Sequence, residues 1–160
     1  MRPVRTIALC ATIILSSVAA SPAADHARLK GRDFGTFGAT PTSDPQVVLT
    51  QDSASGEATT LGRYTLVAHE FINLATLTVQ GGAFTITAAN GDTLMGEYSG
   101  QAVAEFPTII HYDVSGPITG GTGRFAGATG IITFDGFADL HTGLLTDRII
   151  GAISQRDSRD

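Results

Sequence analysis

From Phe34 onward, apolar and polar residues alternate singly instead of recurring at the three-to-four spacing of a helix. In "IIHYDVSG", Ile110, Tyr112 and Val114 fall on one side, and His111 and Asp113 on the other. In "IITFDGFADL", Ile132, Phe134, Gly136, Ala138 and Leu140 share a side, opposed by Thr133, Asp135 and Asp139. Successive side chains of a strand point to opposite faces, so each segment predicts one dry face and one wet face. Glycine interrupts the alternation every eight to twelve residues, the rhythm of an all-β sandwich or barrel. Strands are expected near 34–39, 46–51, 56–68, 72–79, 82–89, 93–104, 108–116 and 131–139, with a last one at 144–154, eight or nine in all. Glycines on the apolar side, Gly96, Gly100 and Gly136, mark bends or close approaches. Such strands suit a closed antiparallel barrel, which leaves no edge to aggregate; a sandwich satisfies the same alternation.

The strongest local signal is the hairpin "AFTITAANGDTLMGEYSG". A two-residue loop at Asn90-Gly91 pairs Phe84 with Glu97. A three-residue loop, Asn90 to Asp92, pairs Phe84 with Tyr98, Ile86 with Gly96 and Ala88 with Leu94. The second places the large apolar groups on one face and Thr85, Thr87, Met95 and Glu97 on the other. Since a one-residue slip inverts every side chain, it is preferred.

"ITGGTGRFAGATG", Ile118 to Gly130, contains a loose dinucleotide-binding pattern. A pyrophosphate loop must open a helix, whose free N–H groups meet the phosphates. Here the following residues alternate like a strand, and only 37 remain after Gly123. The stretch therefore reads as a turn. Gly120, Gly121, Gly123, Gly127 and Gly130 let the chain reverse, and Phe125 tucks back as a plug. No nucleotide cofactor is expected.

Composition changes the picture at the N-terminus. Basic Met1–Arg5, the apolar run "TIALCATIILSSVAA" and the small-x-small "SPA" read as a secretory signal peptide over 1–23, too short to span a membrane. The expected organisation is a leader at 1–23, a flexible lead-in at 24–33, a barrel domain at 34–154 and a frayed tail at 155–160, with export to the periplasm or the cell exterior. Cleavage removes Arg2 and Arg5 from ten basic residues, leaving eight against fifteen acidic, a net charge of −7. It also removes Cys10, so no disulfide supports the fold. The acidic balance and the scattered arginines argue against a nucleic-acid partner, and no later run is long enough to cross a membrane as a helix.

The glycine turn followed by a strand, with "LGRYT" (Leu61 to Thr65) and "TAANGDTLMGEYSG" (Thr87 to Gly100), resembles the allene oxide cyclase–dirigent barrel superfamily, in particular its secreted bacterial members. The likeness runs from about Phe34 to Ser154. It implies an antiparallel barrel of about eight strands with an apolar interior, assembly into homo-oligomers, and a small hydrophobic molecule as partner. Plant dirigent proteins use aspartates and an arginine at the cavity; no motif carries those positions onto this chain.

The candidate chemistry is sparse. His26, His69, His111 and His141 lack ligand spacing, so no metal is expected. In "AHEF", His69 and Glu70 take opposite faces; a bend that lets both reach water is the favoured reading, and an inward Glu70 the alternative. In "TDRII", Asp147 and Arg148 pose the same choice, and an inward Arg148 would orient a ligand carboxylate or carbonyl. Tyr64, Tyr98 and Tyr112 are polar tips suited to a cavity wall. "DSASG", Asp52 to Gly56, reads as a turn without the setting of a hydrolase nucleophile. The tentative ligand-binding set is thus Tyr64, Glu70, Tyr98, Tyr112 and Arg148. No acid–base cluster shows in the sequence, which favours a binding module for a small hydrophobic ligand over an enzyme. A cyclase or isomerase acting by confinement, and a structural protein with a filled barrel, are the alternatives.

Overall fold

In the computed structural model of the protein, the described residues are 26–105 and 107–154. The leader expected at 1–23 and the tail expected at 155–160 lie outside them. The chain forms eight strands: β1 (His26–Pro41), β2 (Val47–Ala58), β3 (Gly62–Asn73), β4 (Thr78–Ala88), β5 (Thr93–Glu105), β6 (Ile109–Gly121), β7 (Thr129–Asp139) and β8 (Leu144–Ser154). Each pairs antiparallel with the next, and β8 returns to β1, closing the barrel. Among the described residues no helix is long and apolar enough to cross a membrane.

Closure explains the main departure from the expected boundaries. The polar stretch "ADHARLKGRD" reads as a loose lead-in, yet from His26 it belongs to β1 and pairs with β8 as far as His26 opposite Ser154. Its polarity is one-sided. His26, Arg28, Lys30 and Arg32 face solvent, while Leu29 and Asp33 are buried. Without these residues β8 would keep an unpaired edge. The segments expected at 46–51 and 56–68 are instead β2 and β3, joined by a turn at 59–61. "DSASG" is therefore strand, not turn, and Asp52 faces inward. The segments expected at 72–79 and 82–89 become the end of β3 and a single β4, with irregular pairing around Gly81.

In the β4–β5 hairpin the faces match expectation but the register does not. Phe84 lies opposite Gly96 and Ile86 opposite Leu94, two residues away from the expected pairing. The loop does have three residues, but they are Ala89 to Gly91: the Ala88 N–H donates to the Asp92 carbonyl at 2.9 Å. Gly91, at φ +89°, takes the left-handed position. Because the slip is two residues, not one, every side chain keeps its expected face.

Only the middle of the glycine stretch is the turn: Gly123, Phe125 and Gly127 lie in the reversal, whereas Gly120 and Gly121, expected in it, end β6 and Gly130 belongs to β7, because strand pairing continues into both ends. β6 passes through one 3-10 turn, Gly123–Phe125, into antiparallel β7. Phe125 is wholly buried and closes this end of the barrel beside Ile132, Leu94 and Ile153. Arg124 pins the plug. Its backbone N–H donates to Asp92 Oδ2 at 3.3 Å, and its Nη2 donates to the Leu61 carbonyl at 2.9 Å. Its guanidinium lies 4.7 Å from the Phe125 ring centroid. Gly123, at φ +55°, leaves the space that Asp92 occupies.

Candidate functional site

The opposite end of the barrel is open. Behind a rim that includes Leu74, Leu77, Ile110 and Leu140, a cavity of about 230 Å³ enters the lumen. Its walls are largely aliphatic, from residues such as Val48, Leu66, Ile72 and Val79. The inner end carries an aromatic cluster. The Phe134 ring meets Phe84 edge-on at 5.4 Å between centroids, and Tyr98 lies 5.8 Å from Phe134.

Across the middle of the lumen runs a belt of carboxyl groups and phenols. Alternation on each strand delivers them: Asp33 from β1, Asp52 from β2, Glu70 and Tyr64 from β3, Tyr98 from β5, Tyr112 from β6 and Asp147 from β8. Tyr98 donates to Glu70 Oε2 at 2.5 Å, Tyr112 to Asp147 Oδ1 at 2.6 Å, and Tyr64 to Asp33 Oδ2 at 2.7 Å. Thr50 donates to the other Glu70 oxygen. Asp33 sits directly across from Asp147 in the β1–β8 ladder. Glycine makes the room: a Cβ at Gly136 would overlap Asp147 Oδ1 and stand 2.7 Å from Tyr112 Cζ.

The three aspartates and the three phenols of the belt titrate abnormally. Burial raises the carboxyl of Asp33, against the hydrogen bond from Tyr64 and the neighbouring Asp147 carboxyl. Burial and then the negative charge of Asp33 push Asp147 up to about 8, although Tyr112 donates to it. Burial and then the charges of Glu70, Asp147 and Asp33 do the same to Asp52, also to about 8. All three phenols are pushed well above the ordinary range, first by burial and then by the neighbouring carboxylates. At neutral pH, Asp52 and Asp147 therefore hold their protons. Among the described residues, no lysine, arginine or histidine lines the cavity.

Several sequence expectations change accordingly. Glu70 is 7% exposed and turned inward, with His69 on the outer face, so no bend carries both to water. Arg148 is exposed and is not a cavity residue. On β8 the inward set is Leu145, Asp147 and Ile149, and Arg148 falls on the outer set with Thr146 and Ile150. Tyr98, Tyr112 and Glu70 line the cavity. Tyr64 is buried beside Asp33 and is not among the lining residues. An acidic cluster does exist, contrary to the expectation from sequence. Asp33 was hidden in a polar segment and Asp52 in an apparent turn. Their signal was the alternation itself, since Leu29 and Asp33, and Thr50, Asp52 and Ala54, keep even spacing. His111 faces outward as expected, bonded to Asp135 at 2.8 Å and stacked on Phe137.

An eight-stranded antiparallel barrel, plugged at one end and opening at the other onto an acid-belted cavity, is of a size that leaves room inside for a small molecule. The chain has the allene oxide cyclase/dirigent-like barrel fold. A solved structure of a dirigent protein described as a pterocarpan synthase superposes on it with a TM-score of 0.55. That alignment covers 91% of this chain and 100% of the other at 12% identity, a likeness of fold. No protein-family model matches the sequence, and no curated protein matches it.

Proposed function

We propose that the protein binds a small, largely apolar molecule in the barrel lumen, entered from the open end, with its polar part against the carboxyl–phenol belt. The carrying observation is a cavity of about 230 Å³ with aliphatic walls and a polar belt. An apolar cavity of about 150 Å³ suffices for benzene, so this one has room for a larger molecule. A barrel filled by its own side chains would leave no such space. The belt also speaks for a ligand: buried acids held among other acids cost stability, and apolar residues there would make a firmer core. That a dirigent protein of the same fold is described as a synthase supports a second reading. In it the confined molecule is a substrate, and a protonated Asp147 or Asp52 supplies a proton to it; carboxyl groups at about 8 are suited to that role.

The test is binding of a neutral fluorescent probe, N-phenyl-1-naphthylamine, to the intact chain and to Ala102→Trp. Ala102 lines the cavity and is buried, so an indole there fills the lumen. Probe emission rises with the parent protein and not with the variant, whose circular dichroism still reports a barrel. Equal probe binding by a folded Ala102→Trp protein places the probe elsewhere and removes the support for a lumenal site.

A further inference from the structure

Every group that donates a side-chain hydrogen bond to Asp33 Oδ2 or Glu70, and to Asp147 Oδ1, is an uncharged hydroxyl: Tyr64, Thr50, Tyr98 and Tyr112. Four carboxyl groups thus share one level of the lumen without a described cation beside them. Asp33 is wholly buried behind the cavity wall, beside Asp147, and among the described residues its Oδ1 has no hydrogen-bond partner. A buried carboxyl oxygen without a donor is costly. The cavity beside the belt is otherwise apolar up to its rim. These are the two halves of an amphiphile's site, one aliphatic and one in want of positive charge.

We propose that the lumen takes an amphiphilic organic cation, its ammonium-type head among Asp52, Glu70 and Asp147 and its apolar body against the wall towards the mouth. This rests on the lumenal reading above and narrows it to a ligand class. A protonated amine offers several N–H donors together with the missing charge, and charge-assisted hydrogen bonds to carboxylates are the strong ones. A bare metal ion fits less well. Among the described residues, no three His, Cys, Asp or Glu side chains converge to hold one, and a metal would leave the aliphatic wall unused. An anionic amphiphile would bring like charge to the belt.

Binding is coupled to protons. The titratable groups facing the head are Asp52 (β2), Glu70 (β3), Tyr98 (β5), Tyr112 (β6) and Asp147 (β8), with Asp33 (β1) and Tyr64 (β3) buried behind them. β4 and β7 face the interior with apolar residues such as Phe84, Ile86 and Phe134. Because Asp52 and Asp147 are protonated up to about pH 8, an incoming cation expels a proton as it ionises its partner. Affinity for an amine therefore rises with pH from about 6 to about 9, below the point at which the amine itself loses charge.

The experiment displaces N-phenyl-1-naphthylamine from the full chain with octylamine, 1-octanol and octanoate. Octylamine is expected to bind about tenfold or more tighter than octanol, the effect of one charge-assisted hydrogen bond, with octanoate the weakest. Calorimetry in two buffers of different ionisation enthalpy should show proton release with octylamine and none with octanol. Asp52 makes none of the phenol contacts of its neighbours, so Asp52→Asn tests the charge with the least disturbance; it should lower the octylamine-to-octanol preference about tenfold. Equal displacement by octanol and octylamine, or a preference unmoved in a folded Asp52→Asn protein, overturns the cation while leaving a lumenal site standing. Failure of all three to displace a bound probe overturns both.

Discussion

Replacing Asp147 with asparagine should make the protein more stable at neutral pH, and the gain should vanish in acid. Asp147 is 7% exposed, and in the barrel its carboxyl ionises only near about 8, against the ordinary 3.8. The folded-state value is raised, so between these two values the native state holds a proton that the unfolded chain has released. Stability then falls as pH rises, by about 1.4 kcal/mol per unit for one such group, and levels off above the folded value. From 3.8 to pH 7 this amounts to about 4 kcal/mol. Asparagine ionises in neither state and escapes the penalty. Its Oδ1 still accepts from Tyr112, and its Nδ2 donates towards Asp33. Retitration of Asp33 and Asp52 once a charged neighbour is gone absorbs part of the difference, leaving about 2 to 4 kcal/mol at pH 7. The assay is urea denaturation of Asp147→Asn and the parent at pH 4, 5.5 and 7, followed by circular dichroism. The variant should match the parent or fall slightly below it at pH 4 and exceed it at pH 7, where the melting temperature rises by about 3 °C per kcal/mol. A variant less stable than the parent at pH 7, or a difference flat with pH, would refute the claim that the lumen holds Asp147 neutral.

Two further substitutions probe the architecture around the belt. Gly136→Ala puts a methyl group onto Asp147 Oδ1 and the Tyr112 ring, and should cost about 1–3 kcal/mol in denaturant unfolding. It should also shift the Tyr112 ultraviolet band as the phenol–carboxyl contact is broken; a neutral outcome would mean that these two groups are not pressed together. Arg148→Ala, on the outer face, should change stability by no more than about 0.5 kcal/mol and leave probe binding untouched, whereas a lost probe signal would place the arginine in the lumen after all.

Much of the barrel was legible because alternation is a local property. Ile110, Tyr112 and Val114, and Ile132, Phe134 and Gly136, all keep the faces that their spacing dictates. Tyr98, Tyr112 and Glu70 are likewise recognisable as members of an inner or undecided row. Registers were less accessible. The β4–β5 loop begins one residue earlier than the Asn-Gly signal implies, which moves the pairing by two residues without altering either face. The acidic belt was the hardest to see. A carboxyl inside a barrel contradicts the expectation that acids mark the outer face, so Asp33 and Asp52 read as part of a lead-in and part of a turn. Only closure brings β1, β2, β3 and β8 round one axis and reveals that four isolated acids face each other. No pairwise spacing along the chain encodes that meeting.

The lumen divides into two parts with opposite physical purposes. Towards the plug, Phe125, Ile132, Leu94, Ile149 and Ile153 are fully buried, and burial of each such side chain contributes about 1.5–3 kcal/mol. The glycine turn belongs to this part: Arg124, Asp92 and Leu61 fasten it across three segments, which accounts for its conspicuous sequence without any ligand. The belt lies between this core and the mouth, where burial and neighbouring acids raise the ionisation range of Asp52 and Asp147. A stable floor tolerates such a layer, since a stability cost of a few kcal/mol at one level is offset by dense apolar packing below it. The conspicuous motif therefore holds the barrel together, while the inconspicuous acids, three aspartates and Glu70 scattered over four strands, supply what a bound molecule would meet.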